Sequence, residues 1–175
     1  MSKLNLIIFS GIIVGLLLPL WFVFASTTDG TIDSAYKYAW SNNIGWINFG
    51  ADYGSVHITD STLTGYLWSD NYGWIILNPS TSGVTNNNEG TLSGYAWGEN
   101  TGWINFSGVI ISSAGVFTGT ASGDVSGTNI AGTINFDCSD CTVKTDWRPA
   151  STRSSGGGGG LPSGAYSAPV PPFSI

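Results

Sequence analysis

Apolar and polar residues alternate through three stretches of the chain: residues 38–49 (YAWSNNIGWINF), 65–77 (GYLWSDNYGWIIL) and 94–106 (GYAWGENTGWINF). A period of two, interrupted by a short run of Asn, Asp, Glu and Gly, predicts a strand, a tight turn and a second strand. A fourth, altered copy occupies residues 119–136 (GTASGDVSGTNIAGTINF). Equivalent tryptophans set the spacing: Trp40 to Trp68 is 28 residues and Trp68 to Trp97 is 29. A period of this size marks units that bury their core against one another. Third short strands are predicted at 56–58, 84–85, 109–111 and 142–144. The expected fold is all-β, built of tandem three-stranded hairpin repeats of about 28–30 residues. A short β-solenoid or a twisted sandwich would accommodate them, with the fourth unit as a terminal cap.

The turns are Asn42-Asn43-Ile44-Gly45, Asp70-Asn71-Tyr72-Gly73 and Glu99-Asn100-Thr101-Gly102. Asn or Asp in the first slot suits a type I turn, and Gly45, Gly73 and Gly102 supply a left-handed residue. The expected register opposes Asn42 with Trp46 and Trp40 with Asn48. Alternation then divides the faces. Ala39, Ile47, Phe49, Leu67, Ile75, Leu77, Ala96, Ile104 and Phe106 share one face, the expected core. Tyr38, Trp40, Trp46, Tyr66, Trp68, Trp74, Tyr95, Trp97 and Trp103 share the other. Repetition at equivalent positions favours a buried aromatic ladder. The same nine rings are the candidate ligand-binding residues, because an aromatic face stacks on the apolar face of a pyranose.

Charge narrows the partners. Only 9% of residues are charged, and the formal net charge is −6. Nucleic acid is excluded as a partner, since it demands clustered Lys and Arg. Lys3 precedes an apolar run over residues 4–24 that ends in Val23-Phe24-Ala25. This reads as an export signal cleaved after Ala25. A retained membrane anchor is the other reading, because the run approaches the roughly 20 residues that span a bilayer. Membrane contact is expected only there, and the rest of the chain is expected outside the cytoplasm. The expected division is a signal or anchor at 1–25, a four-unit repeat domain at 26–149 and a flexible Gly/Pro-rich tail at 150–175.

Chemistry is sparse. Cys138 and Cys141 form a C-x-x-C whose expected state outside the cytoplasm is a structural disulfide. Asp70 and Glu99 share one turn slot and would make a glycosidase pair only within about 5–9.5 Å of each other. Asn42 in the same slot points to turn formation instead. His57 is the only histidine and no nucleophile motif accompanies it. No catalytic residue, metal site or cofactor is expected.

The pattern Ala-Trp-Ser-x-Asn-x-Gly-Trp-Ile-Asn-Phe, followed by Val143-Lys144-Thr145-Asp146-Trp147-Arg148-Pro149 and a glycine run, resembles a set of secreted tryptophan-repeat proteins of small-genome bacteria of the candidate-phyla type. The resemblance implies an extracellular or cell-surface protein and carries no activity with it. The hairpins are more loosely similar to the aromatic repeats of choline-binding cell-wall modules, whose period is shorter. The expected function is a structural or adhesive role at the cell surface. The alternative is a carbohydrate- or cell-wall-binding module, and a glycoside hydrolase-like activity is a weaker one. Partners would be glycans, other surface proteins or further copies of the chain.

Overall fold

The computed structural model describes residues 28–123 and 129–153. The proposed export segment at 1–25 and residues 154–175 of the proposed tail lie outside the described residues. Thirteen strands and no α-helix occur among those described. Four hairpins dominate: β1 (Asp29–Ser41) with β2 (Gly45–Asn48), β5 (Tyr66–Ser69) with β6 (Gly73–Ile76), β8 (Leu92–Gly98) with β9 (Gly102–Asn105), and β11 (Phe117–Gly123) with β12 (Thr133–Asn135). Between them lie β3 (His57–Thr59), β4 (Leu63–Thr64), β7 (Val84–Asn86) and β10 (Val109–Ile111), and β13 (Thr142–Thr145) follows the last hairpin. The chain is all-β and built of tandem hairpin units, as the alternation predicts.

The hairpins join side by side into a ring. β2 pairs with β5, β6 with β8, and β9 with β11. β12 then pairs back onto β1, through Trp40 with Asn135 and Ser41 with Ile134. The result is a closed eight-stranded antiparallel barrel. The fourth unit is therefore a full member with a neighbour on each side, not a terminal cap. A ring has no ends, so nothing needs capping.

The aliphatic face fills the barrel in layers. Ala39, Leu67, Ala96 and Ala121 form one layer, and Ile47, Ile75, Ile104 and Ile134 the next. Phe49, Leu77, Phe106 and Phe136 form a third, and all twelve side chains are buried. An eight-stranded barrel has an interior just wide enough for such side chains. That is why the fourth unit, which lacks the tryptophans, keeps Ile134 and Phe136.

The third strands build a second tier below the hairpins. β3 pairs with β1 and β4, β7 with β8, β10 with β11, and β13 with β1. Long strands pass between tiers at Gly94 and Gly119, with φ of 83° and 82°. A Cβ at Gly94 would overlap the Gly83 carbonyl, and one at Gly119 the Gly108 carbonyl. The first unit carries Lys37 at the equivalent place, and there β1 breaks register between Ile32 and Lys37.

The hairpin register differs from expectation by two residues. Trp40 opposes Trp46 and Ser41 opposes Gly45. The turns open one residue early, with Tyr72 N–H donating to Ser69 O at 3.3 Å and Thr101 N–H to Gly98 O at 3.3 Å. A slip of two leaves every face unchanged, because side chains alternate with period two. The third turn residue is what the slip accommodates. Ile44, Thr101 and Ala131 are buried over the barrel mouth, and Tyr72 packs against the same core. The preceding asparagine of each turn reaches to the neighbouring turn. Asn71 Nδ2 donates to Ile44 O at 3.3 Å, Asn100 Nδ2 to Tyr72 O at 3.0 Å, and Asn43 Nδ2 to Asn129 O at 3.5 Å.

The other end is closed by the C-terminal segment. Trp147 is fully buried, and its Nε1–H donates to Asp60 Oδ1 at 3.0 Å. Gly30 lies against it, where any side chain would overlap Trp147. Arg153 pairs with Asp60 and sits 5.4 Å from the Trp147 ring centroid. The packed structure thus runs past residue 149, through a 3-10 turn at Ala150–Thr152, to Arg153.

Two stability tests follow from these contacts. At Gly73, φ is 82° and nothing lies within 4 Å of a built Cβ, so Gly73→Ala costs about 1 kcal/mol for backbone alone. Gly94→Ala adds the clash with Gly83 and should lower the thermal midpoint at least twice as far; equal shifts would contradict the packing. The second test concerns acid. The Arg153 hydrogen bond holds the Asp60 carboxyl below its usual range, helped by the Trp147 N–H. A depressed carboxylate stabilises fully above about pH 4, and that contribution fades as pH falls through the lowered value. Asp60→Asn should therefore flatten the acid limb of melting temperature against pH. Asp33, lowered by the N–H groups of Ala35 and Tyr36, keeps a residual slope.

Candidate functional site: three aromatic clefts on the barrel wall

Because the aliphatic face fills the interior, the aromatic face looks outward. The expected buried ladder is not formed. No second layer covers the barrel among the described residues, and Tyr38, Trp46, Tyr66, Trp74, Tyr95 and Trp97 are 38–44% exposed. The rings instead shelter one another across strands. Trp40 and Trp46 meet at steeply inclined planes with ring centroids 4.8 Å apart, as do Trp68 and Trp74 at 4.9 Å and Trp97 and Trp103 at 4.9 Å. A tyrosine meets the second tryptophan of each pair edge-on: Tyr38 at 6.2 Å, Tyr66 at 6.2 Å and Tyr95 at 6.3 Å. Such contacts contribute roughly 0.5–1.5 kcal/mol each beyond burial. Three near-identical triads result, one per unit, and the fourth unit has Thr120, Ser122 and Thr133 in their place.

In the first two units the turn slot holds the indole. Trp40 Nε1–H donates to Asn42 Oδ1 at 3.0 Å, and Trp68 Nε1–H to Asp70 Oδ1 at 2.7 Å. Asn and Asp are interchangeable here because either supplies an acceptor oxygen. The turn glycines have the expected left-handed backbone, with φ of 78° at Gly45, 82° at Gly73 and 72° at Gly102.

Each triad opens onto a shallow cleft. The first is lined by Tyr38, Trp46, Asp70 and Asp140 and has a volume of about 380 Å³. The second, of about 340 Å³, is lined by Tyr53, Tyr66 and Trp74. The third, of about 270 Å³, is lined by Thr81, Ser82, Tyr95 and Trp103. Of the nine candidate aromatics, Tyr38, Trp46, Tyr66, Trp74, Tyr95 and Trp103 line clefts. Trp40, Trp68 and Trp97 sit beside them and orient the second indole.

Sequence reasoning missed Tyr53, Thr81, Ser82 and Asp140, which lie between the repeated motifs. Tyr53 is 94% exposed and has φ 67°, a backbone state that costs a tyrosine energy. Its one signal is an aromatic placed next to a glycine in the loop after β2. Asp140 lies inside the Cys138–Cys141 disulfide loop, so the bridge restrains a cleft residue as well as the β12–β13 turn.

A further cavity of about 300 Å³ opens beside Ile32, Asp33, Lys144 and Arg148. Its charges are engaged internally. Asp33 accepts the Ala35 and Tyr36 N–H groups, Lys144 lies 3.9 Å over the Tyr36 ring, and Arg148 donates to the Thr145 and Trp147 carbonyls. His57 pairs with Asp29 at 3.0 Å on the surface. No group of three or more His, Cys, Asp or Glu suited to a metal occurs among the described residues.

The exposure pattern has a spectroscopic signature. With Trp21 replaced by Phe, so that the apolar N-terminal run contributes no emission, acrylamide should quench most of the tryptophan emission and leave a blue-shifted component from Trp147. Trp147→Phe, where it folds, should abolish that component; a large unquenched fraction persisting in it would mean that the triads are buried.

Comparison with known proteins adds no relative: no family model matches the chain, and neither a curated protein nor a solved structure matches it significantly.

Proposed function

We propose that the protein is a non-catalytic adhesive module held outside the cytoplasm, binding carbohydrate through its Tyr–Trp clefts. One observation carries the reading: three equivalent pairs of aromatic rings, set nearly perpendicular, face outward on a rigid barrel. One ring of such a pair can stack on a pyranose while the other closes its side, and neighbouring hydroxyl or carboxylate groups can take sugar hydroxyls. The rings sit on strands, so the geometry exists before a ligand arrives, which reduces the ordering cost of binding.

The placement outside the cytoplasm rests on the Lys3-led apolar run, the Cys138–Cys141 bridge and the low charge. The resemblance to secreted tryptophan-repeat proteins points the same way. Three weak sites on one body suit adhesion to a repetitive polymer, since joint engagement multiplies affinity. A hydrolytic reading finds less support, because Asp70 already accepts the Trp68 indole N–H.

Titration of the full chain with soluble polysaccharides, followed by tryptophan emission, tests this. Trp46→Ala, Trp74→Ala and Trp103→Ala should each weaken binding by roughly threefold to tenfold, the range that one lost aromatic contact allows. The triple variant should bind nothing while keeping a cooperative melt. Undiminished binding by a folded triple variant would place the ligand elsewhere.

A further inference from the structure

The three clefts share their rings and differ in what stands beside them. The second adds only Tyr53, and the third adds the hydroxyls of Thr81 and Ser82. The first adds two carboxylates, Asp70 and Asp140. They arrive from opposite sides. Asp70 belongs to the turn after β5, which pairs with β2, and Asp140 to the loop after β12, which pairs with β1. The first hairpin is thus flanked by an acid on each side, with Asp140 held there by β12 and β13, which both pair with β1.

Each carboxylate is held and keeps acceptor capacity. Asp70 uses Oδ1 for the Trp68 indole, and Asp140 uses Oδ2 for the Ser139 hydroxyl at 3.0 Å. Among the described residues, no lysine or arginine lines this cleft. Lys37, next to Tyr38 in the chain, is directed to the Gly50 carbonyl at 3.4 Å and stands 5.8 Å from the Tyr38 ring centroid. Glu99, the counterpart of Asp70 one unit on, does not line the second cleft. The charge is therefore particular to the first.

Two aromatic faces and two carboxylates around one opening form a receptor for a cation. The ring quadrupoles attract positive charge, and the carboxylates accept charge-assisted hydrogen bonds from N–H donors. We infer that the first cleft selects a saccharide bearing a protonated amine, with the sugar ring against Trp46 and Tyr38 and the ammonium between Asp70 and Asp140. The inference rests on the carbohydrate-binding reading and assigns its ligand class at one of the three sites.

The test uses the full chain with glucosamine and N-acetylglucosamine oligomers of equal length. The indole N–H resonance of Trp46 reports the first cleft, and those of Trp74 and Trp103 report the others. At the first cleft the free amine should bind roughly tenfold more tightly than the acetylated form, as a charge-assisted contact in an aromatic cleft allows. The other clefts should show no such preference. The variant Asp70→Asn with Asp140→Asn should lose the preference, so that the free amine and the acetylated oligomer report equal affinity at the first cleft. Asn42 already accepts the Trp40 indole in the equivalent slot, so the change Asp70→Asn should preserve the fold.

Equal binding of both oligomers at the first cleft, or a preference that survives the double variant, overturns the inference and leaves the wider reading standing. Absence of any saccharide response at all three clefts overturns both. A response to choline or a lysine peptide that depends on the two acids, with none to the amino sugar, overturns the ligand assignment.

Discussion

Two residue pairs, Trp40 with Asn135 and Ser41 with Ile134, tie the last hairpin to the first. β13 adds a second tie to the same strand, through Lys37 with Val143 and Tyr38 with Thr142. These ties convert an open sheet with two unpaired edges into a cylinder whose backbone groups find partners all round. They also create an inside and an outside. With the aliphatic layers enclosed, no described residue forms a layer over the aromatic face, and the tryptophans become wall instead of core. The same closure brings the loop of the fourth unit beside the first hairpin, so the first cleft draws its acids from two different neighbours.

The rim carries a second device of the same kind. In each clear repeat the turn holds Asn at its second position, and that amide donates to the carbonyl of the adjacent turn. Ser41 Oγ reaches Ala131 O at 2.7 Å and Ser69 Oγ reaches Ile44 O at 3.3 Å in parallel. These are inter-unit contacts made by residues whose sequence signature is an intra-unit turn. The two serine bonds satisfy buried carbonyls, where an unmet acceptor would cost about 1–3 kcal/mol, and the asparagine bonds lie nearer solvent.

Much of the fold was legible because period two is a local signal. The aliphatic set from Ala39 to Phe136, the left-handed Gly45, Gly73 and Gly102, and the third strands could all be read from neighbouring residues. The fate of the aromatic face could not. Alternation separates Trp46 from Ile47 without saying which one faces a neighbour, and that depends on whether the units stack or close. Closure rests on contacts across the whole length of the domain, such as Ser41 with Ile134. The clefts were legible in their rings and hidden in their partners. Tyr53, Thr81 and Asp140 belong to the irregular connections, which no period describes.

The layered interior has a consequence for how such a chain can change over time. In an open repeat array, a duplicated unit adds to one end and disturbs little. Here a fifth hairpin would have to enter the cylinder as two more strands, and the diameter grows with strand number. Alanines at 39, 96 and 121 could not reach across the widened lumen, and the Phe49, Phe106 and Phe136 cluster would come apart. Loss of a unit would crush the same residues together. The copy number is therefore locked at four by the volume of side chains already present. Variation is left to the outer wall and its connecting loops, where the fourth unit carries Thr120, Ser122 and Thr133 in place of the rings and still buries Ala121, Ile134 and Phe136.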